Sequence, residues 1–152
     1  MGYRNLIRGE IGIINKIPFR LDLQTCLGTV VYGKNIVGAA HGLIPSEIGS
    51  NYGYPLMIVP KGIKELALLI KSQKKDKNLG ALLFGGKIDS SKIGMKNAEQ
   101  ARKVLEELKI PIKIDFTPNT YWDTNLLVYP DRFEVKSQDS SSIFSKKFSE
   151  IK

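Results

Sequence analysis

Residues 79–84, LGALLF, form a continuous apolar run that stops at Gly85–Gly86. The run is far too short to cross a membrane and has no polar face. That is the pattern of a strand covered on both sides. The flanking segments supply one cover. Over 61–76, Ile63, Leu66, Ala67 and Ile70 share one helical face, with lysines on the other. A second helix is expected to end at about Lys109, with Ala98, Ala101, Leu105 and Leu108 at helical spacing. Asp89, Ser90 and Ser91 offer side chains to cap its start.

Extended segments surround this centre. GEIGIINK (9–16) is rich in Ile, and FRLDLQ (19–24) alternates apolar and polar residues after Pro18. LGTVVY (27–32) and NIVGAAH (35–41) look like a hairpin. PIKIDF (111–116) alternates, and NLLVY and RFEV form a closing pair around Pro130 and Asp131. Between the hairpin and the first helix, IPSEIGSNYGYP (44–55) has the composition of a loop. The order predicts an α/β domain of the α+β layered kind, with mixed β-sheets and two main helices. One domain is expected over 1–136. The segment 137–152 turns to Ser, Lys and Gln, and is expected to be flexible or to dock as a weakly amphipathic helix through Ile143, Phe144, Phe148 and Ile151.

Composition narrows the chemistry. Lys and Arg number 23 against 15 Asp and Glu, a net charge of +8. The excess is diffuse apart from KSQKKDK (71–77), and no basic–aromatic interleaving accompanies it, so nucleic acid is not an expected partner. The opening MGYRNLIRGEIGII lacks the apolar core and cleavage site of a signal peptide. A cytoplasmic location without membrane insertion is therefore expected. One Cys and one His are too few for a structural zinc site, so neither a metal nor a cofactor is expected.

Those two residues, Cys26 and His41, flank the hairpin. With Gly33–Lys34 as the turn, Tyr32 pairs with Asn35 and Cys26 lies opposite His41, Cβ atoms roughly 4.5–5.5 Å apart. Gly28 and Ala39 on the same face would leave open space above the pair. A thiol beside an imidazole is a candidate nucleophile, with His as base and nearby backbone N–H groups as oxyanion donors. The competing reading is a buried apolar Cys and a structural His.

The stretch TCLGTVVYG…GAAHGLIP resembles the centre of the chemoreceptor glutamine deamidase (CheD) family, with Cys26, His41 and Pro45 in the family order. LLFGGKI is similar to its Phe-Gly-Gly segment at Phe84, Gly85 and Gly86. IGMKNAEQARKVLEELKIPI is similar to its Ile-Gly-x-Arg-Asn helix, keeping Ile93, Gly94 and Asn97, with Lys96 for Arg. The resemblance is collinear over about residues 6–136. It implies a layered fold like that of the cytotoxic necrotizing factor toxins. It also implies hydrolysis of glutamine side-chain amides on bacterial chemoreceptors, with Cys26 as nucleophile and His41 as base. Chemoreceptor cytoplasmic domains and a CheC-type phosphatase are the implied partners.

The sequence departs from the family at position 20, where the catalytic Thr is replaced by Arg20. Gln24 and Thr25 replace the Gly-Ser before the nucleophile. Glycine signals expected near the last strands are absent from TPNTYWDTNLLVYP. In the related toxins a backbone carbonyl orients the His, so Arg20 is a candidate through its backbone. Thr25, Gly85, Gly86 and Asn97 are further candidates for orienting the site or shaping the substrate groove. The competing readings are a bend at Gly85–Gly86 and a loop anchor at Asn97. A second functional reading follows from the departures: a catalytically impaired protein that only docks the phosphatase.

Overall fold

The computed structural model describes residues 2–42, 59–73, 78–88, 92–117, 123–137 and 143–151. The expected loop at 44–55, Pro45 and the capping candidates Asp89, Ser90 and Ser91 lie outside these residues.

Among the described residues, two mixed five-stranded sheets and two α-helices stack in layers. The outer sheet has the order β1 (Arg4–Asn5), β3 (Phe19–Leu23), β8 (Thr124–Val128), β9 (Arg132–Ser137), β10 (Ile143–Lys147). The inner sheet has the order β2 (Ile11–Ile13), β5 (Ile36–Gly42), β4 (Leu27–Gly33), β6 (Gly80–Gly85), β7 (Ile112–Asp115). Helices α1 (Val59–Gln73) and α2 (Ile93–Glu107) cover its far face. The apolar run of β6 is split by this arrangement. Ala81 and Leu83 pack toward the helices, while Leu82 and Phe84 pack toward the outer sheet. The amphipathic strand β3 needs only one cover, and Phe19, Leu21 and Leu23 fill the space between the sheets.

The β4–β5 hairpin forms, but in a different register. Gly33 pairs with Ile36 and Gly28 with His41, so the two-residue turn is Lys34–Asn35. Asn35 adopts φ 63°, a left-handed conformation that Asn tolerates better than most residues. Moving the turn by one residue moves the pairing by two, so each side chain keeps its face. Gly28, not Cys26, is the residue opposite His41. Cys26 sits one step before β4, in the bend Gln24–Cys26. The expected open space over Gly28 is also absent, because a Cβ there would lie 2.7 Å from Leu23 Cδ1.

The described part of the tail is neither flexible coil nor an amphipathic helix. β10 pairs antiparallel with β9, and a single 3₁₀ turn follows at Phe148–Glu150. Phe148 is buried between the sheets, its ring stacked on Tyr32 at 5.1 Å and 6.1 Å from Phe133. Its amide donates to the Asp131 carbonyl at 3.0 Å. Phe148→Ala should therefore cost about 3 kcal/mol of stability, as expected for truncating a buried aromatic. Urea unfolding checks this; an unchanged midpoint would mean that the tail adds nothing to the core.

Candidate active site

Cys26 is placed by its backbone. The bend Gln24–Cys26 joins an outer-sheet strand, β3, to an inner-sheet strand, β4, and it offers three successive carbonyls inward. Gln24 O accepts from the Lys87 amide at 2.8 Å, Thr25 O from Asn97 Nδ2 at 2.8 Å, and Cys26 O from the Gly86 amide at 3.1 Å. Gly85 and Gly86 have φ of 89° and 68°, which turn the chain sharply after β6 and aim these donors. A Cβ on Gly85 would stand 2.6 Å from Cys26 O. Asn97, fully buried on α2, reaches the same bend. The three candidates Gly85, Gly86 and Asn97 thus support the bend from beneath. They are not among the residues that line the cleft above it.

That cleft, of about 790 Å³, is open to solvent and brings Cys26, His41, Thr25 and Arg20 together. Cys26 and His41 form its floor, at 7% and 4% exposure. His41 lies near the end of β5, on the face turned toward the outer sheet. Its ring Nδ1 is 2.7 Å from the carbonyl of Leu6. A carbonyl only accepts, so Nδ1 carries the proton and Nε2 presents its lone pair. Nε2 is buried and has no hydrogen-bond partner.

Leu6 is held in turn by Arg20. The Leu6 amide donates to Arg20 O at 2.9 Å, continuing the parallel β1–β3 ladder by one residue. Arg20 O does not reach the imidazole, contrary to expectation: it holds the Leu6 amide, and the group touching the ring is Leu6 O. The turn after Leu6 completes the support. Gly9 N donates to His41 O at 2.7 Å, and His41 N donates to Glu10 O at 3.0 Å. Side chains at the rim are paired, Arg20 Nε to Asp22 at 3.1 Å and Lys87 Nζ to Asp123 at 3.1 Å, with Gln24 Nε2 3.4 Å from Asp123.

Burial sets the charge state of the two central groups. It pushes the Cys26 thiol above its ordinary 9.0, opposed by the positive charge of Arg8 and by the residue's own amide. It pulls His41 below its ordinary 6.5, partly opposed by the bond to Leu6. At neutral pH the pair rests as thiol and neutral imidazole, not as an ion pair. This has a consequence for stability. Below pH 6.5 the unfolded chain protonates its His before the native chain does, so stability falls as pH drops through the window from 6.5 to the lowered native value. Melting temperatures should decline across that window, and His41→Asn should remove this component. A pH profile identical in the variant would contradict it.

Sequence reading overlooks Leu6 and Arg8. Leu6 acts through a carbonyl that every residue has, so its side chain gives no signal. Arg8 precedes Gly9, whose φ of 85° marks the turn, and only the fold brings that turn over His41. No known protein-family model matches the chain, and no curated protein matches it.

Proposed function

We propose that the chain is a cysteine hydrolase that deamidates protein glutamine, acting on chemoreceptor cytoplasmic domains as the family it resembles does. In this reading its layers are the CheD-like fold. The observation that carries the proposal is the state of His41: Nδ1 fixed by Leu6 O, Nε2 free, on the floor of the same cleft as Cys26. A ring held by a backbone carbonyl does not need the missing Thr side chain, which favours catalysis over docking alone. A CheC-type phosphatase remains the proposed partner.

His41 Nε2 takes the thiol proton as Cys26 Sγ attacks the glutamine Cδ. The amide oxygen becomes an oxyanion, a charge that nearby backbone N–H groups are suited to hold. Collapse breaks the C–N bond, and His41 returns the proton to the leaving ammonia. Water then attacks the thioester with His41 again as base, releasing glutamate and the thiol. The net change is glutamine plus water to glutamate plus ammonia. Because His41 must be neutral, the rate should fall on acidification along a limb below pH 6.5. Incubation with receptor cytoplasmic fragments, followed by peptide mass spectrometry, tests the substrate. No exchange of amide NH₂ for OH across a receptor panel would refute it.

A further inference from the structure

We propose that Arg8 is the electrostatic partner of the Cys26–His41 pair, its guanidinium stabilising the Cys26 thiolate relative to the thiol. Three observations converge on it. Arg8 lines the cleft whose floor is Cys26 and His41. It sits on the 7–10 turn, closed by Glu10 N to Ile7 O at 3.0 Å and Ile7 N to Glu10 Oε1 at 2.9 Å. That turn is tied to the His41 backbone at two successive positions, Gly9 and Glu10. The arginine is thus carried on the same short element that fixes the base.

Its charge acts on both members in the useful direction. It favours the thiolate of Cys26 and disfavours the imidazolium of His41. The other groups facing His41, Asp22 on β3 and Glu10 on the turn, push His41 the opposite way. In a cleft where burial penalises the thiolate, a nearby cation is what restores reactivity. Arg8 is a positioning charge rather than a group that touches substrate.

The inference rests on Cys26 as the nucleophile of the proposed hydrolase, but not on its substrate. The test is the pH dependence of Cys26 alkylation by iodoacetamide, a neutral probe. In Arg8→Gln the midpoint should move to higher pH, with alkylation about two- to fivefold slower at neutral pH, the scale of a solvent-screened charge effect. Arg8→Lys should restore the wild-type profile, because it keeps the charge and not the guanidinium geometry. The wild-type rate should also fall between about 0.1 M and about 1 M salt. A midpoint unchanged in Arg8→Gln, a Lys variant that behaves as Gln, or a salt-independent wild-type rate overturns the proposal. The salt series needs no variant, so misfolding cannot obscure the result. Arg8-dependent alkylation without glutamine turnover would sink only the substrate reading. Turnover with an unchanged midpoint in Arg8→Gln would sink only the role of Arg8.

Discussion

If the proposed deamidation holds, Cys26→Ala should abolish turnover of receptor fragments, and His41→Ala should slow it by about 10²–10⁴-fold, the usual contribution of a positioned acid–base group. The two losses should have different origins. Ala at 26 removes the atom that bonds to the substrate, so no acyl intermediate can form. Removing His41 leaves a thiol that burial holds above 9.0 and that lacks its proton acceptor. The fold should survive the first change. The 24–26 bend is held by its carbonyls, through Lys87, Asn97 and Gly86, and none of those bonds uses the sulfur. Cys26→Ala should therefore unfold within about 1 kcal/mol of wild type, as a small buried apolar side chain would allow. A structural thiol predicts the reverse: a stability loss with no effect on turnover. Single-turnover assays on refolded variants separate these outcomes, and activity in Cys26→Ala would remove the thiol from the mechanism.

Where local pattern decides, the sequence was readable. β6 had to be buried on both faces because 79–84 contains no polar side chain, and the two helix-period segments supply one of its covers. The hairpin was legible as a hairpin, with its register off by one pleat. Gly33 and Asn35 can both take positive φ, and spacing does not choose between them. The structure chooses Asn35, and Cys26 moves from the strand into the bend before it. Strand β10 was hidden because 143–147 (IFSKK) has weak periodicity by itself; its pairing with β9 comes from the sheet edge, a non-local partner. The least legible part was the group orienting His41. The resemblance points to position 20, with Arg20 acting through its backbone. The answer is a carbonyl at Leu6, bonded back to Arg20, and backbone chemistry leaves no trace in residue identity.

Gly94→Ala should be among the most damaging single changes outside the cleft, costing about 3 kcal/mol or more, the upper end for overpacking, because the contact is against rigid backbone. Gly94 opens α2 where the helix meets the turn after β6. A Cβ there would overlap the Lys87 carbonyl oxygen and lie 2.6 Å from Gly86 O. Both neighbours are main chain, so no rotamer change relieves the contact. The helix or the turn must move. Either motion reaches the nucleophile, because the Gly86 and Lys87 amides hold the Cys26 and Gln24 carbonyls and Asn97 on the same helix holds Thr25. This geometry gives a physical reason for two glycine-bearing segments, FGG at 84–86 and IG at 93–94, to occur together: they are the two sides of one backbone contact beneath the bend. Asn97→Ala separates the effects. It removes one clamp without the overlap, and should cost about 1–3 kcal/mol from losing a buried bond to the Thr25 carbonyl. If Gly94→Ala were no less stable than Asn97→Ala, the close approach would not constrain the fold. If Gly94→Ala remained folded with wild-type Cys26 alkylation, the bend would not depend on α2.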